Sequence, residues 1–130
     1  MHFAGDVADE ALPAYYQAAD LICAPALGGE SFGIVLLEAM ACAKPVVASR
    51  IDGYAALTGD TEAVRLVPPG DIDAMGAALT ELLLHDVRRV ELGAVALEFA
   101  RRYDWQLLVH RLESVYARAQ RTSRAARGPE

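Results

Sequence analysis

The chain contains 130 residues, of which 54% are hydrophobic and 23% are charged, and its net charge is -6. This composition predicts one globular domain, or part of a larger one, and excludes a disordered chain. No apolar run is long enough to span a bilayer, and no cleavable signal peptide is recognisable. The apolar surroundings of Cys23 and Cys42 favour a reduced, buried pair of cysteines over a disulfide.

The charge is unevenly distributed along the chain. Residues 1–86 hold thirteen acidic residues against three basic ones, whereas residues 87–130 hold nine arginines against five acidic residues. The basic C-terminal third either carries solvated arginines, which is the interpretation we favour, or rests on an anionic surface. Because no aromatic platform accompanies the arginines, we expect no nucleic-acid partner.

The first elements follow from hydrophobic spacing and from turn residues. Residues 2–5 are typical of the end of a short strand, and Asp9 is a candidate N-cap for the next helix. The predicted apolar face of that helix comprises Leu12, Tyr15, Tyr16 and Ala19. Residues 21–24 read as a buried strand, and a helix over about 32–42 ends before Pro45.

Two more strands are predicted in the middle of the chain. Residues 46–48 form a short buried strand, and a loop containing Asp52, Gly53 and Gly59 follows it. Residues 64–67 form the next buried strand, closed by a Pro-Pro-Gly turn.

The C-terminal part is predicted to be helical. Asp71 starts an amphipathic helix, and a second helix covers about 87–101. Asp104 caps a last helix that runs to about Arg121, and we expect this helix to be less well anchored than the others. Trp105 is interpreted as a packing anchor, not a stacking platform.

Short buried strands that alternate with helices predict an α/β fold with a partial doubly wound, Rossmann-like parallel sheet. In such sheets ligands bind at the carboxyl ends of strands, near helix N-termini, and the loop over 25–33 lies at such an end. Residues 1–121 form the predicted domain, and residues 122–130 form a polar C-terminal tail that we expect to fray.

The segment from Gly28 to Met40 is the strongest candidate for a ligand site. The first N–H groups of its helix carry the positive end of the macrodipole and can bind a diphosphate, and Gly33 removes a Cβ that would block the approach. Glu38, among apolar neighbours, needs a hydrogen-bonding partner, and the vicinal diol of a ribose is a suitable one.

Structural alternatives remain open for the same residues. Ser31 can act as an N-cap, Glu30 can interact with the helix dipole alone, and Glu38 can face solvent or pair with an arginine. Asp9 can likewise be a plain N-cap.

Several motifs resemble one enzyme family. Residues 30–41 and 44–49 are similar to the Glu-x7-Glu signature of the retaining glycosyltransferases of family 4, which have the GT-B architecture. The resemblance continues in residues 3–7, 66–71 and 102–105, and residues 28–35 are most similar to the bacterial phosphatidylinositol mannosyltransferases. The resemblance implies the C-terminal, donor-binding half of a GT-B glycosyltransferase.

The resemblance also implies residue roles. Glu30 would be the catalytic residue that contacts hydroxyls of the donor sugar, and Glu38 would hold the ribose hydroxyls. The backbone N–H groups of Phe32, Gly33 and Ile34 would face the sugar and the distal phosphate. Val7 and Asp9 would lie beside the base, and the Asp9 carboxylate would favour guanine. The implied donor-binding residues are Val7, Asp9, Gly29, Glu30, Ser31, Phe32, Gly33, Ile34 and Glu38.

The implied reaction transfers a hexose, such as mannose from GDP-mannose, to a lipid or glycan acceptor with retention of configuration. No tightly bound cofactor and no metal are expected, since the nucleotide sugar is a substrate. The implied partners are this donor, an N-terminal acceptor-binding domain upstream of this chain, and a membrane lipid as one acceptor. A cytoplasmic location is implied, and peripheral attachment at the inner membrane face is left open.

The segment also departs from the family pattern. The basic Arg and Lys pair that grips the diphosphate lies upstream in the family, and Lys44 and Arg50 do not match it. A catalytically inactive nucleotide-binding or interaction module is therefore the alternative hypothesis. A nicotinamide-cofactor domain is disfavoured, because the glycine fingerprint after the first strand is absent.

Overall fold

The computed structural model describes the backbone of residues 1–127 and the side chains of residues 1–122. Within these residues it has three strands, β1 to β3, and six helices, α1 to α6, and a 3-10 turn over Arg101–Tyr103 precedes the last helix. The elements in chain order are α1 (Leu12–Ala18), β1 (Ile22–Ala24), α2 (Ile34–Ala41), β2 (Val46–Ser49), α3 (Asp52–Thr58), β3 (Val64–Val67), α4 (Ile72–Leu84), α5 (Asp86–Ala100) and α6 (Trp105–Arg127).

The three strands form one parallel sheet in the order β1-β2-β3. Ile22 of β1 and Val64 of β3 both pair with Val46 of β2, so the three strands are aligned at their amino ends. Their carboxyl ends therefore meet at one edge of the sheet, as the predicted fold class requires. The structure confirms the predicted α/β class.

The central strand β2 is covered on both faces. Val46, Val47 and Ala48 are completely buried, and successive side chains of a strand point to opposite faces. Val46 and Ala48 pack with Leu36 of α2 in the larger cluster, whereas Val47 packs with Leu82 of α4 in the smaller one. This explains the uninterrupted apolar sequence of β2, since a strand between two helical layers needs no polar face.

Local signals predicted the starts of α4 and α6 and, within one residue, both ends of α5. The Asp71 carboxylate accepts a hydrogen bond of 2.9 Å from the N–H of Ala74, and the Asp104 carboxylate accepts one of 2.8 Å from the N–H of Gln106. The structure confirms both caps, as well as α5 within one residue of its predicted bounds. Asp9 does not cap α1, because Ala11 is the N-cap and the preceding turn is closed by the carbonyl of Ala8.

The predicted strand over residues 2–5 is wrong. These residues have no strand geometry, and Phe3 is 85% exposed. A strand is stable only when its backbone pairs with a neighbour, and β1 pairs only with β2 among the described strands. β1 is consequently an edge strand among the described strands, and its residue Cys23 is exposed. Cys42, which follows α2, is only partly buried. The two cysteines are therefore free, as expected, but they are not the buried pair that the sequence predicted.

The segment predicted as a loop after β2 contains helix α3. Tyr54 and Leu57 of α3 are buried in the larger core cluster, and the Thr58 hydroxyl donates to the Tyr54 carbonyl oxygen at 2.9 Å. The helix therefore forms because its apolar side packs on the sheet, although Gly53 in its first turn lowers its intrinsic helix propensity.

The last helix extends six residues beyond its predicted end, to Arg127, and residues 128–130 lie outside the described part of the chain. Trp105 is 80% exposed, so its interpretation as a packing anchor is wrong. Leu112, Val115 and Tyr116 are each more than half exposed. This exposure agrees with the expectation that α6 is less well anchored than the other helices.

Two glycines in helix interiors predict opposite effects of the same substitution. In Gly93→Ala the new Cβ would collide with the carbonyl oxygen of Ala43 where α5 crosses the end of α2, so we expect destabilisation by about 1–3 kcal/mol. In the matched control Gly76→Ala the Cβ would enter open space on α4, so we expect stabilisation by up to about 1 kcal/mol. Urea unfolding of both variants measures the difference, and equal effects would contradict this packing.

Candidate donor-binding site

The loop that carries the predicted site lies where β1 ends and α2 begins. Its neighbour in space is the start of α3, which follows the adjacent strand β2. A Cβ at Gly53 would collide with the carbonyl oxygen of Glu30 and would lie 2.9 Å from the carbonyl carbon of Ser31. The loop backbone therefore rests directly on α3, and only glycine permits this approach.

Gly33 fixes the entry into α2. It is the N-cap residue, in the left-handed conformation with φ +92°, and it contributes no side-chain cap, so Ser31 is not the N-cap considered above. A Cβ at Gly33 would lie 2.8 Å from the Tyr54 ring. Gly33 is thus required by packing against Tyr54 and by its backbone conformation, whereas the sequence argument had attributed it to ligand approach.

Glu30 is held by the backbone of its own loop. Its Oε1 atom accepts hydrogen bonds from the N–H groups of Phe32 at 3.3 Å and Gly33 at 3.2 Å. The side chain is partly buried, and its carboxylate lies near Tyr54, whose pKa is raised first by burial and second by this negative charge. Glu30 therefore occupies two of the N–H groups that the sequence assigned to the donor.

The remaining loop residues of the predicted site are accessible. Gly29 is exposed with φ +79°, and Ser31, Phe32 and Ile34 are also exposed. The Phe32 ring makes an edge-to-face contact with the ring of Tyr103, with centroids 6.1 Å apart. The loop is therefore open to solvent on the side away from α3.

Glu38 is one helical turn further into α2 and is partly buried. Its Oε2 atom accepts a hydrogen bond of 2.8 Å from the hydroxyl group of Tyr16 on α1. Glu38 is therefore not turned fully into solvent, and among the described side chains no arginine pairs with it, so neither alternative left open by the sequence is seen.

Val7 and Asp9 precede α1 in a segment without regular structure. Val7 is partly buried, and Asp9 is exposed. In the described part of the chain, the Asp9 carboxylate has no hydrogen bond or ion pair and is exposed. The structure thus leaves this carboxylate accessible to hydrogen-bond donors of a ligand.

Sequence reasoning missed three residues that build the site, namely Tyr16, Gly53 and Tyr54. Tyr16 had been counted as part of an apolar helix face, although its hydroxyl group was a signal for a polar partner. Gly53 had been treated as a loop residue, and its proximity to Glu30 depends on the pairing of β1 with β2, which no local pattern reveals.

A separate groove lies on the β3 side of the sheet. It has a volume of about 800 Å³, runs between β3 and α4, and contains none of the predicted donor-binding residues. Its charged residues are exposed, and one of them, Arg88, is already paired with Glu62 at 3.3 Å. We therefore locate the candidate site by its chemistry, on the open surface above Glu30 and Glu38.

The fold is that of the GT-B glycosyltransferases. The structure matches that of sucrose-phosphate synthase from Thermosynechococcus elongatus with a TM-score of 0.85 and 30% sequence identity, over 93% of this chain and 30% of that one. The chain belongs to the family described as glycosyl transferases group 1, which matches residues 1–85. The family resemblance seen in the sequence is thereby confirmed.

Curated relatives give more detail. The chain is 46% identical over 116 residues to phosphatidyl-myo-inositol mannosyltransferase from Mycobacterium leprae, covering 89% of this chain and 31% of that protein. It is 37% identical over 108 residues to D-inositol 3-phosphate glycosyltransferase from Corynebacterium aurimucosum, covering 83% of this chain and 25% of that protein. The chain thus spans between a quarter and about a third of the length of these relatives.

No helix in the described region combines the length and the apolar character that a membrane-spanning helix needs.

The contact between the loop and α3 predicts the effect of a substitution at Gly53. In Gly53→Ala the new methyl group must displace the backbone at Glu30, so we expect destabilisation by about 1–3 kcal/mol and large shifts of the amide signals of residues 30–33. Thermal unfolding and amide NMR spectra measure the two effects. Gly76→Ala is the matched control and should leave these signals in place, and unchanged loop signals in Gly53→Ala would refute the contact.

Proposed function

We propose that this chain is the donor-binding part of a retaining hexosyltransferase of family 4, which transfers mannose from GDP-mannose to a lipid or glycan acceptor. The observation that carries the proposal is the arrangement of two partly buried carboxylates, Glu30 in the loop before α2 and Glu38 one turn into that helix, where α2 follows the carboxyl end of β1. The names of the relatives, which include mannosyltransferases, support the choice of mannose.

The diphosphate of the donor binds at the start of α2 in this proposal. The N–H groups of Phe32 and Gly33 lie at the entry to α2 and donate hydrogen bonds to a carboxylate oxygen of Glu30, which has the charge and acceptor character of a phosphate oxygen. When the phosphate takes these donors, the Glu30 carboxylate is released toward the hydroxyl groups of the sugar. An internal anion thus keeps the site organised before the donor binds.

Glu38 binds the ribose. Its carboxylate is partly buried, and the Tyr16 hydroxyl uses only one of the roughly four lone-pair positions on its two oxygens. Two ribose hydroxyl groups can donate to the remaining positions. An amide at this position would have a single acceptor oxygen and no charge, and would bind the diol less well.

The base is selected by the segment before α1. The accessible Asp9 carboxylate can accept from N1–H and the exocyclic amino group of guanine, and uracil has no matching pair of donors. Val7 provides the adjacent apolar surface. These roles rest on the family resemblance and on the unoccupied Asp9 carboxylate.

The chemical step breaks the bond between the anomeric carbon of the sugar and the diphosphate and forms a bond from that carbon to the acceptor oxygen. The leaving diphosphate takes the proton of the acceptor hydroxyl on the same face of the sugar, which retains the configuration. The chain supplies the N–H groups that stabilise the leaving diphosphate and the Glu30 carboxylate that holds the sugar.

The acceptor is bound by a second domain. The relatives are about three times as long as this chain, and α6 exposes Leu112, Val115 and Tyr116, which a partner surface can cover. The intact enzyme is cytoplasmic, with peripheral attachment at the inner membrane face where the acceptor is a lipid. The alternative is a catalytically inactive nucleotide-binding or interaction module, which keeps the fold and lacks the transfer step.

Nucleotide binding tests the role of Glu38. The chain should bind GDP more tightly than UDP or ADP, and Glu38→Gln should weaken GDP binding by at least about tenfold, because a hydrogen bond to a charged group is lost. Glu98→Gln, on the exposed side of α5 beside Arg101, is the matched control and should bind GDP normally. Calorimetry or NMR titration measures the affinities, and equal GDP affinity in Glu38→Gln would remove the donor-site assignment.

A transfer assay tests the requirement for a second domain. The 130-residue chain should transfer no mannose to a phosphatidylinositol acceptor above background, although it binds GDP, because in this proposal a second domain orients the acceptor. Radiolabelled GDP-mannose with extraction of the lipid product measures the rate. Sustained turnover would show that this chain is an enzyme without a second domain, and binding without turnover fits both the proposal and the inactive module.

A further inference from the structure

Tyr16 is the only described residue whose side chain is hydrogen-bonded to Glu38, and it reaches that residue from a different helix, 22 positions earlier in the sequence. The distance of 2.8 Å between the Tyr16 hydroxyl and Glu38 Oε2 is that of a well-formed hydrogen bond to a carboxylate. One carboxylate oxygen of Glu38, Oε2, is thus held by Tyr16 on α1, and the other oxygen, Oε1, has no described partner.

The nature of the donor matters for the ligand site. A tyrosine hydroxyl fixes the direction of a carboxylate without neutralising it, whereas an arginine would occupy both oxygens and cancel the charge. Burial, and then the hydrogen bond and the charge of Glu38, raise the pKa of Tyr16, so its hydroxyl stays protonated and remains a donor across the physiological pH range.

We propose that Tyr16 is a positioning residue for ribose recognition, which holds Oε2 of Glu38 so that Oε1 is presented to the vicinal hydroxyl groups of the nucleotide. This inference rests on the proposed function, because it assumes that Glu38 binds the ribose. Without Tyr16 the glutamate side chain would rotate about its χ angles, and part of the binding free energy would be spent on fixing it.

The experiment compares nucleotides that differ only in the ribose. The affinities of GDP and 2′,3′-dideoxy-GDP are measured by NMR titration for the wild-type chain and for Tyr16→Phe, which removes one oxygen atom. We expect the wild-type chain to favour GDP, and we expect Tyr16→Phe to lower this preference about three- to tenfold while dideoxy-GDP binds as before.

Tyr15→Phe is the matched control. Tyr15 is the adjacent residue on α1 and is exposed, and its hydroxyl has no described partner, so its removal should leave the ribose preference unchanged. Thermal unfolding of both variants checks that α1 still folds against α2. The variant Tyr16→Phe/Glu38→Gln completes a double-mutant cycle, in which the Tyr16 substitution should have no further effect once Glu38 is neutral.

The outcomes separate the two claims. If the wild-type chain favours GDP and Tyr16→Phe retains that preference, the positioning role is refuted and the ribose role of Glu38 stands. If both nucleotides lose affinity equally, Tyr16 is only structural and the inference is again refuted. If the wild-type chain has no preference for the ribose hydroxyls, the proposed role of Glu38 fails, and the inference about Tyr16 fails with it.

Discussion

The close approach of two backbone segments is the constraint on which the site depends. The loop before α2 lies against the first turn of α3, because Gly33 and Gly53 have no side chains at the points of contact. The contact is possible only because β1 and β2 are neighbours in the sheet, so that the loops at their carboxyl ends meet. Tyr54, nearly completely buried, closes the space beneath the loop. The position of Glu30 is therefore set by the central core and not by the loop alone.

The two glutamates of the signature are kept in place by neutral donors. Glu30 accepts from the backbone N–H groups of Phe32 and Gly33, and Glu38 accepts from the hydroxyl group of Tyr16. Neutral donors stabilise a partly buried carboxylate without cancelling its charge, and they leave some of its lone pairs free. A ligand rich in hydroxyl groups can use the free lone pairs, whereas a residue paired with arginine could not offer them. The family signature thus corresponds to a pair of oriented carboxylates that retain free acceptor positions.

Local patterns predicted the parts of the fold that depend on local interactions. The caps at Asp71 and Asp104 are short-range hydrogen bonds, and β2 is recognisable because a strand covered on both faces has no polar position. Two of the larger errors concern distant contacts, whereas the missed cap at Asp9 and the end of α6 are local. Residues 2–5 lack a pairing strand, and α3 gains its stability from the core. The signature identified the position of the site, but the contact of Tyr16 with Glu38 crosses between two helices, and no spacing rule could supply it.

The aromatic contacts near the loop connect the candidate site with the base of the last helix. Phe32 contacts Tyr103 edge to face, and Tyr103 packs against Phe99 with ring centroids 5.6 Å apart. Tyr103 ends the 3-10 turn, and Asp104 directly after it caps α6. The loop that carries Glu30 and the turn from which α6 departs therefore share one packed cluster, while the apolar side chains further along α6 remain exposed. Because the Phe32 ring contacts Tyr103, a shift of Phe32 changes the packing at the turn from which α6 departs.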